Sequence, residues 1–310
     1  MTHKKWLSWL FKCALTAGGF YLALRGVDWA DIQTALATQQ THYLAISFVC
    51  LCTQITLGGI RWYILLRVFT PDKLDFFRTI RTYFSSAFFG IFMPGTLGSD
   101  TSRILMLRAQ GSSTTYIIAS VFFDRICSMI SIILLVFLFL PHTFTYLKWD
   151  TDYATRISIA GFVAAALGLW ILNISASRLA ALPQLIKMRK ILLPMTILFQ
   201  HPLSICTALF FGICAHIAYC LCIYMLALSL SISLSVTACL TLIPFIMLLI
   251  SLPISINGWG VREMGMTGAL ALAGVNAASA LLISVQVGLL GTAACLLGGI
   301  IYLTNKTQSR

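Results

Sequence analysis

The sequence predicts an all-α polytopic membrane protein, and three observations carry that prediction. Of its 310 residues, 59% are hydrophobic and 10% are charged, with a mean hydropathy of +0.92. Six apolar stretches are long enough to cross a bilayer, which takes about 20 residues of helix. Two more apolar segments are interrupted at their middles by proline, glycine and charge, which are costly at membrane depth. An ordinary soluble domain is excluded by this composition. The formal charge of +12 does not point to nucleic acid, because the basic residues gather at span ends, where they set topology and meet anionic lipid.

The six spans fall at roughly 6–24, 42–66, 114–140, 156–176, 201–229 and 276–303. The first carries Lys4, Lys5 and Lys12 and is followed by no small-residue cleavage site, so it reads as an uncleaved span and not a signal peptide. Residues 27–36 form a short amphipathic stretch at the outer interface. Residues 178–200, with Lys187, Arg189 and Lys190 among Leu, Ile and Met, read as a basic amphipathic helix on the cytoplasmic surface. The interrupted segments are 77–110 and 236–273. Each is long enough to enter the membrane and return, which predicts two re-entrant hairpins. Two complete short spans in each, eight spans in all, is the alternative that periodicity leaves open.

Placing the N-terminus inside puts fifteen Lys and Arg residues, Arg61 and Arg67 among them, on the cytoplasmic side, against Arg25, Lys148 and Arg156 outside. That asymmetry predicts cytoplasmic N- and C-termini. In this orientation residues 1–140 and 156–310 each read span, span, hairpin, span, and they start from opposite faces. The chain is then a single membrane domain of two inverted repeats, an arrangement that many secondary transporters share.

The first interruption is Pro94-Gly95-Thr96-Leu97-Gly98-Ser99-Asp100-Thr101-Ser102-Arg103. Pro94 ends a helix, Gly95 and Gly98 permit a tight turn, and Ser99 or Asp100 is placed to cap a new helix. The free N–H groups at such a helix start, with Arg103 one turn further on, suit an anion such as phosphate. The second is Pro253-Ile254-Ser255-Ile256-Asn257-Gly258-Trp259-Gly260-Val261-Arg262-Glu263. Here Asn257, Gly258 and Gly260 supply the turn, Arg262 and Glu263 open the outgoing helix, and Trp259 reads as an interfacial anchor or a contact for an acyl chain. A third pair, Asp124-Arg125, lies within the span 114–140. Helical neighbours diverge by about 100°, so these two face different partners, and Arg125 is expected to meet Asp100, Glu263 or a ligand. His216 fits an interhelical hydrogen bond. The ten cysteines follow no metal or redox spacing and read as small hydrophobes. No metal site and no cofactor is expected, and no nucleotide-binding loop or hydrolase motif occurs.

These motifs resemble the lysylphosphatidylglycerol synthase transmembrane, flippase-like family. The resemblance rests on Pro94, Gly95, Gly98, Asp100 and Arg103, on Asp124-Arg125, and on the run from Leu252 to Glu263, in that order along nearly the whole chain. Ser99 and the Asn257-Gly258-Trp259 stretch depart from the family's glycine-richer pattern. The resemblance does not imply synthase activity, since no aminoacyltransferase domain is present in these residues. It implies a non-enzymatic lipid translocase of a bacterial inner membrane, acting on an anionic or phosphate-bearing lipid. Arg103, Arg125, Arg262, Asp100, Asp124 and Glu263 would meet at one midplane headgroup site between the hairpins. The alternative is a lipid-binding accessory protein that serves an envelope-lipid biosynthetic enzyme.

Overall fold

A computed structural model describes residues 16–24, 27, 29–70, 75–92, 97–108, 113–180, 189–251 and 258–308, and every regular element among them is a helix. In chain order these are α1 (16–24), α2 (Trp29–Ala37), α3 (Thr41–Phe69), α4 (Phe76–Gly90), α5 (Leu97–Arg108) and α6 (Thr114–Leu147). They continue with α7 (Thr151–Ala180), α8 (Arg189–Phe199), α9 (Pro202–Ser229), α10 (Val236–Ser251), α11 (Val261–Leu272) and α12 (Ala277–Gln308).

Among the described residues, four helices, α3, α6, α9 and α12, are both long and apolar enough to cross a membrane. Val49, Phe122, Leu138, Phe210, Leu289 and Ile300 stand exposed on their outer faces. Such a surface is unfavourable in water and normal in hydrocarbon. α7, which carries the expected span 156–176, has 30 residues. Of the expected span 6–24, only 16–24 lies within the described residues, where it is helical. α2 buries none of its residues, in keeping with an interfacial element. Of the basic stretch 178–200, the end of α7 covers 178–180 and α8 covers 189–199, while 181–188, Lys187 among them, lie outside the described residues.

The two interrupted segments each fold as a pair of short helices. α4 and α5 have 15 and 12 residues, and α10 and α11 have 16 and 12. At 1.5 Å per residue these reach about 18–24 Å, less than the ~30 Å hydrocarbon core. Asp75 caps α4 by accepting from the Phe77 N–H at 3.2 Å. Thr79, Thr82, Ser85 and Ser86 form its buried face. The hydroxyls of Thr79, Thr82 and Ser86 donate to carbonyls of their own helix or its cap at 2.7–2.9 Å, so this polar face is buried at little cost.

The main core joins α3, α6, α9, α10, α11 and α12 through residues such as Leu51, Ile132, Ile223, Leu226, Ile243, Met266 and Ile283. A smaller core of Trp62, Leu66, Leu107, Ile117 and Val121 binds α5 to α3 and α6, beside the charged residues that these three helices carry. α12 lies against both α4 and α11. Its approach to α4 is so close that a Cβ on Gly298 would collide with the Phe84 carbonyl, whereas one on Gly291 would meet nothing. Gly298→Ala is therefore expected to cost about 1–3 kcal/mol, while Gly291→Ala is neutral or mildly stabilising. Thermal denaturation of both variants in detergent checks this, and equal melting temperatures would contradict the α4–α12 packing.

Candidate functional site

Asp100 and Arg103 lie three residues apart on α5 and so share one of its faces. Arg103 is 1% exposed, and its guanidinium lies 5.0 Å from the ring centroids of both Trp62 on α3 and Tyr83 on α4. Cation–π attraction offsets part of the cost of burying it. The Trp62 indole N–H donates to the Ser120 hydroxyl at 3.2 Å, which fixes that ring. One guanidinium nitrogen of Arg103 donates to Asp100, and another donates to Asp124 on α6 at 2.8 Å.

Asp124 and Arg125 diverge as helical neighbours should. Asp124 is 1% exposed and accepts from Arg103 and, at 2.7 Å, from Nε of Arg61 on α3. Arg125 turns the other way and donates to Asp100 at 2.8 Å and to the Ser99 hydroxyl at 3.2 Å. The result is an alternating chain, Arg61–Asp124–Arg103–Asp100–Arg125, running across α3, α5 and α6. It has three cations against two carboxylates, one positive charge in excess.

A cavity of about 290 Å³ lies against this chain. Arg61, Arg103 and Arg125 line it, together with Tyr83, Ser99 and His216, and α12 contributes Cys295. His216, on α9, bonds the Ser128 carbonyl of α6 at 3.1 Å through Nε2, the interhelical bond expected of it.

The second charged group is built differently. Gly258 and Gly260 both have φ of 81°, a left-handed turn that glycine adopts freely. Glu263 is fully buried, and it accepts from the Gly260 N–H, from Arg262 at 2.7 and 3.0 Å, and from the Ser284 hydroxyl at 3.2 Å. Trp259 lies over the Arg262 guanidinium, 4.2 Å from it, and stacks on Phe20 of α1 at 5.9 Å. This group is charge-balanced.

Several expectations change as a result. Arg103, Arg125 and Arg262 do not share one site with Asp100, Asp124 and Glu263. The charges of α5 pair with α3 and α6, whereas Arg262 and Glu263 satisfy each other, and neither of these two lines the cavity. Ser99 and Asp100 do not cap α5, because it is already helical from Leu97, and Asp100 turns to the two arginines. Trp259 covers Arg262 and Phe20 and does not stand as an anchor by itself. Arg61, counted among the cytoplasmic charges, is 5% exposed and buried against Asp124. Hydropathy gave no sign of this, because Arg61 lies close to the end of its apolar run. Gly98 lies in the first turn of α5; Pro94, Gly95, Pro253 and Asn257 lie outside the described residues.

Asp124→Asn is expected to destabilise the protein by roughly 3–5 kcal/mol, since two buried arginines lose their shared counter-ion. Arg125→Gln, at a pair whose arginine side chain is 38% exposed, should cost at most about 1 kcal/mol. Comparing the melting temperatures of the two variants tests the assignment, and an Asp124→Asn variant as stable as wild type would refute it.

A family model described as the lysylphosphatidylglycerol synthase TM region matches residues 9–299. A UPF0104 membrane protein of Methanothermobacter thermautotrophicus is 29% identical over 144 residues, which cover 44% of this chain and 40% of that protein. The chain thus spans well under half the length of that relative. No solved structure matches. The family match runs over nearly the whole chain, and the chain belongs to that family.

Proposed function

We propose that this member of the lysylphosphatidylglycerol synthase transmembrane-region family moves an anionic, phosphate-bearing lipid between the leaflets of a bacterial inner membrane, as a carrier and not as an enzyme. The observation that carries this reading is the cavity lined by Arg61, Arg103 and Arg125, where one positive charge exceeds the carboxylates. An uncompensated charge among apolar spanning helices is expensive, and an anionic headgroup repays that cost. Arg125 is the most accessible of the three cations and is the one assigned to receive the phosphate.

In this reading α4/α5 and α10/α11 are re-entrant hairpins, since none of the four helices is long enough to cross. Residues 1–140 and 156–310 are inverted repeats with both termini cytoplasmic, and alternating access comes from one half rocking on the other. The balanced Arg262–Glu263 group then fixes the second hairpin to α12 and α1 and is not a second headgroup site.

Reconstitution into liposomes with a fluorescent anionic phospholipid, followed by quenching of the outer leaflet, tests this. Wild type should exchange lipid well above empty vesicles. Arg125→Ala should slow exchange about tenfold, the worth of one hydrogen bond to a charged group, while Arg67→Ala should leave it unchanged. Equal rates in empty, wild-type and Arg125→Ala vesicles would sink the proposal.

A further inference from the structure

A second cavity, of about 380 Å³, opens where α3 ends and α9 begins. It shares no lining residue with the cavity at Arg61, Arg103 and Arg125. Two rows of α3 face it, each with the four-residue spacing that puts side chains one above the other. Tyr63 and Arg67 form the polar row, and Ile64 and Val68 form the apolar one. His201 and Ser204, at the start of α9, complete the lining. Ile64 and Val68 pack on the core of Leu65, Phe123, Leu198 and Ala208, so the floor is set by α3, α6, α8 and α9. Phe76 of α4 meets the Tyr63 ring edge-on at 5.2 Å and steadies it. The lining thus offers a guanidinium, two hydroxyls and an imidazole, and no carboxylate. Among the described residues Arg67 makes no ion pair, and Asp75 is turned to the Phe77 N–H of its own helix. The Ser204 and Ile205 N–H groups already go to the His201 carbonyl at 3.0 and 3.3 Å, so the cavity's donors are side chains.

We propose that this cavity is a separate, fixed site for a phosphate group at the membrane surface, held by Arg67 and Ser204 and tying the end of α3 to the corner between α8 and α9. Arg67 lies in the last turn of a spanning helix, the depth at which a long basic side chain reaches lipid phosphates. A phosphate supplies the acceptors that a wall of donors without a carboxylate lacks. The surroundings favour a phosphate carried on a lipid. Leu203, beside His201 and Ser204, is 77% exposed, and Phe77, against Phe76, is 68% exposed, so apolar surface flanks the polar wall. The site stands off the exchange path, because it shares no residue with the other cavity. Its occupant holds helices together and does not travel, and the proposal is independent of the translocation reading.

The test adds phosphatidylglycerol, diacylglycerol with the same chains, or inorganic phosphate to the purified full-length protein in detergent and reads the melting temperature, since a ligand of the folded state raises it. Each measurement is repeated in an Arg125→Ala background, which removes the cation assigned to the other cavity. Phosphatidylglycerol should raise the melting temperature there and diacylglycerol should not. Adding Arg67→Ala should weaken phosphatidylglycerol binding, read by native mass spectrometry, about fivefold, the upper end for an exposed ion pair. Ser204→Asp should weaken it further by repelling phosphate. An acid in the first turn of a helix favours that helix, so this variant loses the site without losing the fold. An Arg67-dependent gain from inorganic phosphate equal to that from phosphatidylglycerol would support the site and assign it to free phosphate. Equal gains with and without Arg67→Ala and Ser204→Asp would overturn the proposal, as would equal gains from phosphatidylglycerol and diacylglycerol. Exchange slowed by Arg67→Ala would overturn its place off the path. An Arg67-dependent gain in a protein that exchanges no lipid would support this site while removing the translocation reading. Exchange without any such gain would do the reverse.

Discussion

The carboxylate of Asp124 accepts from Arg61 at 2.7 Å and from Arg103 at 2.8 Å, in a place where it is 1% exposed. Each oxygen thus serves a different helix, α3 on one side and α5 on the other. Removing one partner of a buried ion pair leaves an uncompensated charge in low dielectric and is strongly destabilising. The pair of bonds therefore fixes how α3, α5 and α6 approach one another. The rings of Trp62 and Tyr83 close over Arg103 from α3 and α4, so the same constraint positions α4 as well. Together these contacts set the walls of the cavity before any ligand arrives, and a headgroup bound there would meet preorganised donors.

The two interruptions of the apolar sequence look alike in composition but do different work in the structure. In the first, Asp100 divides its carboxylate between Arg103 and Arg125, and the count of charges leaves a cation over. In the second, Glu263 is used up by its own helix start, its neighbour Arg262 and Ser284. The second is also pressed against α1, where a Cβ on Gly260 or on Gly19 would collide with the facing backbone. Close helix contacts through small residues are a usual way of joining helices in a membrane. One interruption thus borders a cavity, and the other closes a joint.

The sequence made the apolar spans, the two interrupted segments and the charged motifs legible, because hydropathy and the cost of charge in hydrocarbon act over many residues at once. The divergence of Asp124 from Arg125 was legible too, since it depends only on the 100° step of a helix. Partner choice was not. Arg61 was legible as a basic residue but not as the partner of Asp124, because span length locates the ends of a helix and not the face that is buried. The likeness of the two interruptions suggested one shared site. The pairing of Arg262 with its own neighbour depends on a left-handed turn at Gly258–Gly260 and on Ser284 from α12, which no local pattern encodes. His216 was legible as an interhelical hydrogen bond, but not as a wall of the cavity.

The central claim is that the surplus positive charge at the Arg61–Asp124–Arg103–Asp100–Arg125 chain holds an anionic headgroup. An electron cryomicroscopy map of the protein in nanodiscs of phosphatidylglycerol tests it most directly. The account predicts phosphate density within hydrogen-bonding distance of Arg125, with none at Arg262. Phosphate density at Arg262 and Trp259, or a cavity holding only water, would contradict it.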